Sequence, residues 1–270
     1  MKEQRMDPSS IPGATQRVSH YDAADEDYVQ YWNERDYEHA AEVQAIRRLL
    51  GRRRFVHAVD VGGGYGRLSL HLVEIADRVT LLDPSSKQLQ AARVILKDQP
   101  RIRPQLMASG DLGLPDQSAD LVTLVRVMHH LPDPSPTLGE IVRLLKPGGI
   151  AIVEVANLAH AVNRVRYAAR GQRLPRQAID VRSPQNRTSE HIPFVNHHPA
   201  TVVAQFTAAG LTVEAKLSVS NLRNARMKRA LPPALLLEVE RRLQAPLAVL
   251  HFGPSVFYRL SKSESIGASA

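Results

Sequence analysis

The chain alternates short apolar runs with longer stretches in which apolar residues return every three or four positions, and glycine, proline or an acid stands at most joints. Phe55 to Val61 is the first such run, and Val79-Thr80-Leu81-Leu82, Leu121 to Val127 and Ile150 to Val155 repeat the type. Runs of this length bounded by turn residues read as strands buried on both faces. Helical spacing separates them. Tyr37, Ala40, Ala41, Ala45, Ile46, Leu49 and Leu50 place a helix within Tyr21 to Leu50, and Leu144-Leu145-Lys146-Pro147-Gly148-Gly149 ends another before the Ile150 strand. Strand–helix alternation from Phe55 to Val155 predicts a parallel sheet. Residues 157–198 break that rhythm. It resumes with a helix over Ala200 to Ala209 stopped by Gly210, a strand over Leu211 to Ser220, a helix over Leu235 to Leu243 and a last strand over Pro254 to Leu260. The polar ends predict a flexible arm over 1–18 and a flexible tail over 262–270, leaving one domain over 19–261 with 157–198 as an insertion.

The joint after the first run carries the most chemistry. Asp60-Val61-Gly62-Gly63-Gly64-Tyr65-Gly66-Arg67-Leu68 is an acid, a glycine-rich turn and the start of a helix. Gly62, Gly64 and Gly66 let a ligand lie on the backbone and reach φ values other residues avoid, and helix N–H groups favour an anion there. The dinucleotide fingerprint G-x-G-x-x-G needs a small third residue, and Arg67 occupies that place. The pattern here is G-x-G-x-G with an acid two residues upstream. Asp83, closing the second run, stands where a carboxylate takes ribose hydroxyls; its plainer alternative is a turn or cap residue before Pro84. Ser109-Gly110-Asp111-Leu112-Gly113 and the run Leu121 to Val127 ending in Met128-His129-His130 follow in order.

With these motifs in this order, the chain resembles the class I S-adenosylmethionine-dependent methyltransferases, and most closely the type-11 subgroup that includes ubiquinone and menaquinone methyltransferases. The resemblance covers residues 37–156 and, in general fold, runs to 261. It implies an α/β fold: a Rossmann-like, doubly wound, seven-stranded, mostly parallel sheet whose last two strands pair antiparallel, with 157–198 as a helical cap. It implies S-adenosylmethionine as cofactor and S-adenosylhomocysteine as product. Asp60 and the loop Gly62, Gly63, Gly64 and Gly66 would hold the methionine end. Asp83 would bind the ribose, Pro84 would pack near the adenine, and Asp111 with the Leu112 N–H would contact the base. Arg126 to His129 would form the floor beneath the sulfonium. The family often has Cys where Gly63 stands, and Thr or Ser where Tyr65 stands.

Composition refines this picture in a few places. The 270-residue chain has no cysteine, which excludes disulfides and thiolate metal sites, and its net charge is +8. Residues 1–18 lack the apolar core of a secretory signal, and no run approaches the length of a bilayer span, so a cytoplasmic enzyme is expected. The insertion carries Arg164, Arg166, Arg170, Arg173, Arg176, Arg182 and Arg187 against Asp180 and Glu190. That is either a solvated basic face or a cap for an anionic acceptor, small molecule or RNA; without interleaved aromatics, RNA is the weaker reading. His129, His130 and His197 are the candidate bases for an acceptor proton, with His191 and His198 beside them, each having a packing or capping alternative. Tyr21, Tyr28, Tyr31 and Trp32 read as a lid or, better, as helix residues packing on the body. No metal-ligand spacing is present. Three functions compete: small-molecule methyl transfer, methyl transfer to RNA or another macromolecule, and cofactor binding without turnover or with redox chemistry.

Overall fold

The computed structural model describes residues 28–33, 35–107, 111–183 and 193–263. The predicted arm over 1–18, most of the tail over 262–270, Tyr21, the Tyr28 side chain, Ser109, Gly110, Arg187, Glu190 and His191 lie outside the described residues. Helices α1 (Tyr28–Asn33) and α2 (Asp36–Leu50) precede strand β1 (Phe55–Val61). Then follow α3 (Ser69–Leu72), β2 (Ala76–Asp83), α4 (Ser86–Ile95), β3 (Ile102–Leu106), β4 (Ala119–Leu124), α5 (Ser135–Leu144) and β5 (Leu145–Ala156). The second half holds α6 (Ala161–Ala169), β6 (Ile179–Asp180), β7 (Val195–Asn196), α7 (Pro199–Ala208), β8 (Leu211–Val219), α8 (Ala225–Ala230), α9 (Pro233–Val249) and β9 (Ser255–Lys262).

Seven strands form one sheet in the order β3-β2-β1-β4-β5-β9-β8. β1 through β5 are parallel, and β9 runs antiparallel to both β5 and β8. The expected architecture is therefore the observed one. Its cause is visible in the strands: Leu81 and Leu121 face one core with α2, α3 and α4, while Leu82 and Val122 face a second core with α5 and α7. A strand with both faces covered reads as a nearly continuous apolar run, and β1, β2 and β4 are buried without interruption from Ala58, Val79 and Leu121 to their ends.

Three expectations shift in detail. The first helical stretch is two helices, with Arg35 between them; its guanidinium carbon sits 4.0 Å above the Tyr31 ring. α5 ends at Leu144 and β5 begins at Leu145, so Pro147-Gly148-Gly149 lies inside the strand rather than before it, and Gly148 takes φ 73 there. The insertion is only partly helical: α6 is followed by the two-residue ribbon β6–β7. The order of the strands puts the loops after β1, β2, β4 and β5 at one edge of the sheet. β4 is the central strand, and Leu121 is fully buried in it. Leu121→Ala should lower unfolding free energy by about 2–5 kcal/mol, read as a lower urea midpoint at unchanged m-value.

Candidate active site

Asp60 ends the apolar part of β1 at 1 % exposure. Its Oδ2 accepts from Ser69 Oγ at 2.7 Å and its Oδ1 from Thr123 Oγ1 at 2.8 Å, so the carboxyl bolts α3 to β4. Burial raises its pKa while the two hydroxyls oppose that rise. The chain then turns. Gly62 and Gly63 N–H both donate to the Leu82 carbonyl, at 2.7 and 3.1 Å. Gly62 and Gly64 adopt φ 68 and 57, a region that penalises any side chain. A Cβ on Gly63 would lie 2.9 Å from Asp60 Oδ2, which explains why this chain has the smallest residue there. Gly66 does a different job. It has φ 92, and a Cβ would press on Leu96 Cδ1 at 2.6 Å, so it serves helix packing and stands outside the pocket lining.

Asp83 faces this turn. Its Oδ2 accepts from Gly64 N–H and its Oδ1 from Ser85 N–H, both at 2.8 Å, while Ser85 Oγ caps α4 through Gln88 N–H. The carboxylate organises the turn before α4, as its plainer reading has it, and it also lines the cavity. That cavity, about 250 Å³, lies between the loops after β1, β2 and β4 and is bounded by Gly62, Gly63, Gly64, Tyr65, Asp83, Pro84, Leu112, Arg126 and His130 among others. Buried Gln88 Oε1 faces Gly64 and has no hydrogen-bond partner among the described residues. An orphaned buried acceptor beside a ligand-sized cavity marks a place for a donor from a ligand.

The roof of the cavity comes from residues that motif reading undervalued. Trp32 lines the cavity at 5 % exposure, with the Arg67 guanidinium carbon 3.6 Å above its ring. Glu42, fully buried on α2, accepts from Arg67 Nη2 at 2.7 Å and from Arg126 Nε at 2.7 Å and Nη2. Burial pushes the Glu42 carboxyl up, but Arg126 and Arg67 together outweigh it and hold it below its ordinary value. Two guanidiniums share this one carboxylate. Arg126 itself sits at φ 62, an uncommon conformation for a side-chain-bearing residue, held by its N–H donating to Glu154 Oε2 at 3.1 Å.

Asp111, His129 and His197, expected in the site, lie outside the cavity lining. Asp111 is exposed, and its Oδ1 accepts from Gly113 N–H at 2.7 Å in a local turn; it is not part of the cavity lining. The Leu112 N–H donates instead to Glu140 Oε2 at 3.1 Å, and Glu140, from α5, is the carboxylate on that wall. The histidines also separate. His130 lines the cavity, with Nδ1 2.9 Å from the Pro193 carbonyl. His129 is buried behind it, its ring 3.9 Å from that of His130 and 4.4 Å from Phe194. His197 is buried with Nε2 2.9 Å from the Met128 carbonyl, clamping the segment after β4. His198 caps α7 by accepting from Ala200 N–H. Among the described residues no group of three or more His, Cys, Asp or Glu is placed to hold a metal ion, and no helix is long and apolar enough to cross a membrane.

Residues 59–153 match the family model described as a methyltransferase domain. Over 135 residues the chain is 32% identical to a ubiquinone biosynthesis O-methyltransferase of Xanthomonas oryzae pv. oryzae, covering 47% of this chain and 55% of that one. Over 110 residues it is 32% identical to a demethylmenaquinone methyltransferase of Tropheryma whipplei, covering 41% and 46%. The matches thus span about half the length of these relatives. A solved SAM-dependent methyltransferase of Thermotoga maritima superposes with a TM-score of 0.59 at 18% identity, over 87% of this chain and 94% of that one. Residues 59–153 thus resemble a methyltransferase domain, and the chain shares its Rossmann-like fold with the solved structure.

Burial holds His129, His130 and His197 below the ordinary histidine value of 6.5. A depressed histidine pKa means the unfolded chain takes up protons first. Stability from these residues is therefore complete above about pH 6.5 and falls as pH drops toward the folded values, by up to about 1.4 kcal/mol per pH unit per histidine. Urea unfolding at pH 7, 6 and 5 should show this decline, and His129→Phe should make it shallower.

Proposed function

We propose that this chain transfers the methyl group of S-adenosylmethionine to a nucleophilic O, N or C atom of a small molecule. The observation that carries the reading is the left-handed glycine turn closed by Asp83 across a single cavity. Gly62, Gly63 and Gly64 would offer backbone to the cofactor, and Asp83 would take the ribose hydroxyls. Gln88 Oε1 would find its missing donor there. Pro84, Leu112 and Glu140 would surround the base, with Glu140 in the place first assigned to Asp111. Asp60 acts through the loop it braces, and Arg67 and Arg126 in the cavity lining offer guanidinium donors suited to the carboxylate of the methionine end.

When bound, S-adenosylmethionine supplies a sulfonium-activated methyl group. The chain's own tasks are to align the acceptor and to keep water out, and orientation alone can supply about 7–11 kcal/mol of barrier reduction. Trp32, Val125, Val127 and Leu131 give the cavity apolar walls. His130 is the base we assign. A carbonyl can only accept, so the Nδ1 facing Pro193 carries the proton and Nε2 is the basic nitrogen. Burial favours that neutral form at pH 7.

The small-molecule acceptor is supported by the relatives named for ubiquinone biosynthesis and demethylmenaquinone. The second reading, an RNA or other macromolecular acceptor, draws on the arginines of the insertion, of which Arg164, Arg166, Arg170, Arg173 and Arg176 are exposed. The domain over 19–261 and a cytoplasmic location, where the cofactor is made, belong to the same proposal.

Calorimetric titration should show micromolar binding of S-adenosylmethionine and S-adenosylhomocysteine and no binding of NADH. Asp83→Ala should weaken both ligands by about tenfold or more, the scale of a lost charged hydrogen bond. NADH binding in place of the other two would overturn the cofactor. Once an acceptor is found, His130→Gln should lower kcat about 100-fold or more with S-adenosylhomocysteine affinity unchanged.

A further inference from the structure

Strand β5 closes on Ile150-Ala151-Ile152-Val153-Glu154-Val155-Ala156, an apolar run with a single acid in it. Glu154 is fully buried there, and a carboxylate in such a place needs partners for both oxygens. Its Oε1 accepts from Ser255 Oγ on β9, and its Oε2 accepts from the Arg126 N–H at 3.1 Å. The register explains the second contact. Leu124 pairs with Val153, so Glu154 stands one step past that pair, beside the residues that leave β4. Burial pushes the carboxyl up; Arg126 comes first among the groups that oppose the rise, ahead of Ser255, while Glu42 adds to it. Glu154 is not part of the cavity lining, whereas Val125, Arg126 and Val127 are. Any influence it has on a bound ligand passes through them.

Arg126 is held at both ends by buried carboxylates. Glu154 takes its N–H, and Glu42, on α2, takes Nε at 2.7 Å and Nη2. At φ 62 a residue with a side chain relaxes to negative φ unless its surroundings prevent it. The contact with Glu154 opposes that relaxation, with two consequences. It keeps the guanidinium against the roof, its Cζ 5.6 Å from the centre of the Trp32 ring. It also turns the chain so that Val127 lies on Gly62, where a Cβ would collide with Val127 Cγ2. One buried acid thus sets both the guanidinium and an apolar contact of the glycine turn.

We propose that Glu154 is a positioning residue for the cofactor: through the Arg126 backbone it holds the guanidinium where it grips the carboxylate of the methionine end. This rests on the methyltransferase reading. The role demands an acceptor at the right reach rather than a charge. A Gln amide can offer its oxygen to the Arg126 N–H and its own N–H to Ser255 Oγ, which turns to accept, whereas an Asp side chain is one carbon too short.

The test is calorimetric titration with S-adenosylhomocysteine and with S-adenosyl-3-thiopropylamine, the same molecule without its carboxylate. Wild type should bind the first about tenfold or more tightly than the second. Glu154→Leu and Glu154→Asp should each weaken S-adenosylhomocysteine by about tenfold and leave the amine within about twofold, while Glu154→Gln should restore most of the loss. Arg126→Leu should show the same selective loss, and Glu154→Leu added to it should cost nothing further. Where Glu154→Leu fails to fold, Glu154→Asp carries the comparison. Equal affinity of wild type for the two ligands, equal loss of both in the Glu154 variants, no loss of either, or independent losses in the double variant would overturn the role of Glu154. Failure of wild type to bind either ligand would instead overturn the cofactor reading, and the positioning role with it.

Discussion

Asp60 sits inside the protein as a carboxyl group, and the penalty of burying it is offset by two hydroxyls that arrive from different elements, Ser69 on α3 and Thr123 on β4. This one arrangement fixes three things together: the end of β1, the helix that follows the glycine turn, and the neighbouring central strand β4. It also fixes the identity of Gly63, because any larger residue would press on Asp60 Oδ2. Once the turn is held in this way, the N–H of Gly64 points at Asp83 and the cavity has its floor.

A second buried carboxylate, Glu42, does for the roof what Asp60 does for the floor. Its partners differ in kind. Asp60 is served by neutral donors and its pKa is raised, whereas Glu42 is served by two guanidiniums and stays ionised. Breaking a buried charged contact of the second sort is costly, since it strands a charge away from water. The roof thus ties α2 to the first turn after β1 and to the residue after β4, and it carries Trp32 over the opening. The strained Arg126 is the hinge of this network, touching Glu42 with its side chain and Glu154 with its backbone.

Much of this was legible in the sequence because it depends on local order. The parallel sheet follows from apolar runs separated by helical spacing, and the glycine turn with Asp83 follows from residue types that only such a turn demands. Asp111 shows the opposite case. The segment Asp111-Leu112-Gly113 spells a local turn, and the carboxylate spends itself on Gly113; the pocket carboxylate, Glu140, comes from a helix whose approach to Leu112 no spacing announces. Arg67 was noticed only as too bulky for a dinucleotide fingerprint, yet its bulk is what lets it reach Trp32 and Glu42. Among the histidines, identity and position along the chain could not separate His130, which meets the cavity, from His129 and His197, which pack and clamp beside it.

The insertion illustrates why acceptor choice is the least legible property of such a chain. Its arginines are a charge pattern without a local geometry, and Arg164, Arg166, Arg170, Arg173 and Arg176 all stand exposed. The central claim, that the turn braced by Asp60 and closed by Asp83 is the cofactor site, is tested most directly by a crystal structure with S-adenosylhomocysteine. The account predicts ribose density against Asp83, the base on the Leu112–Glu140 wall and no contact to Asp111. Density for the ligand elsewhere, or a base held by Asp111, would contradict it.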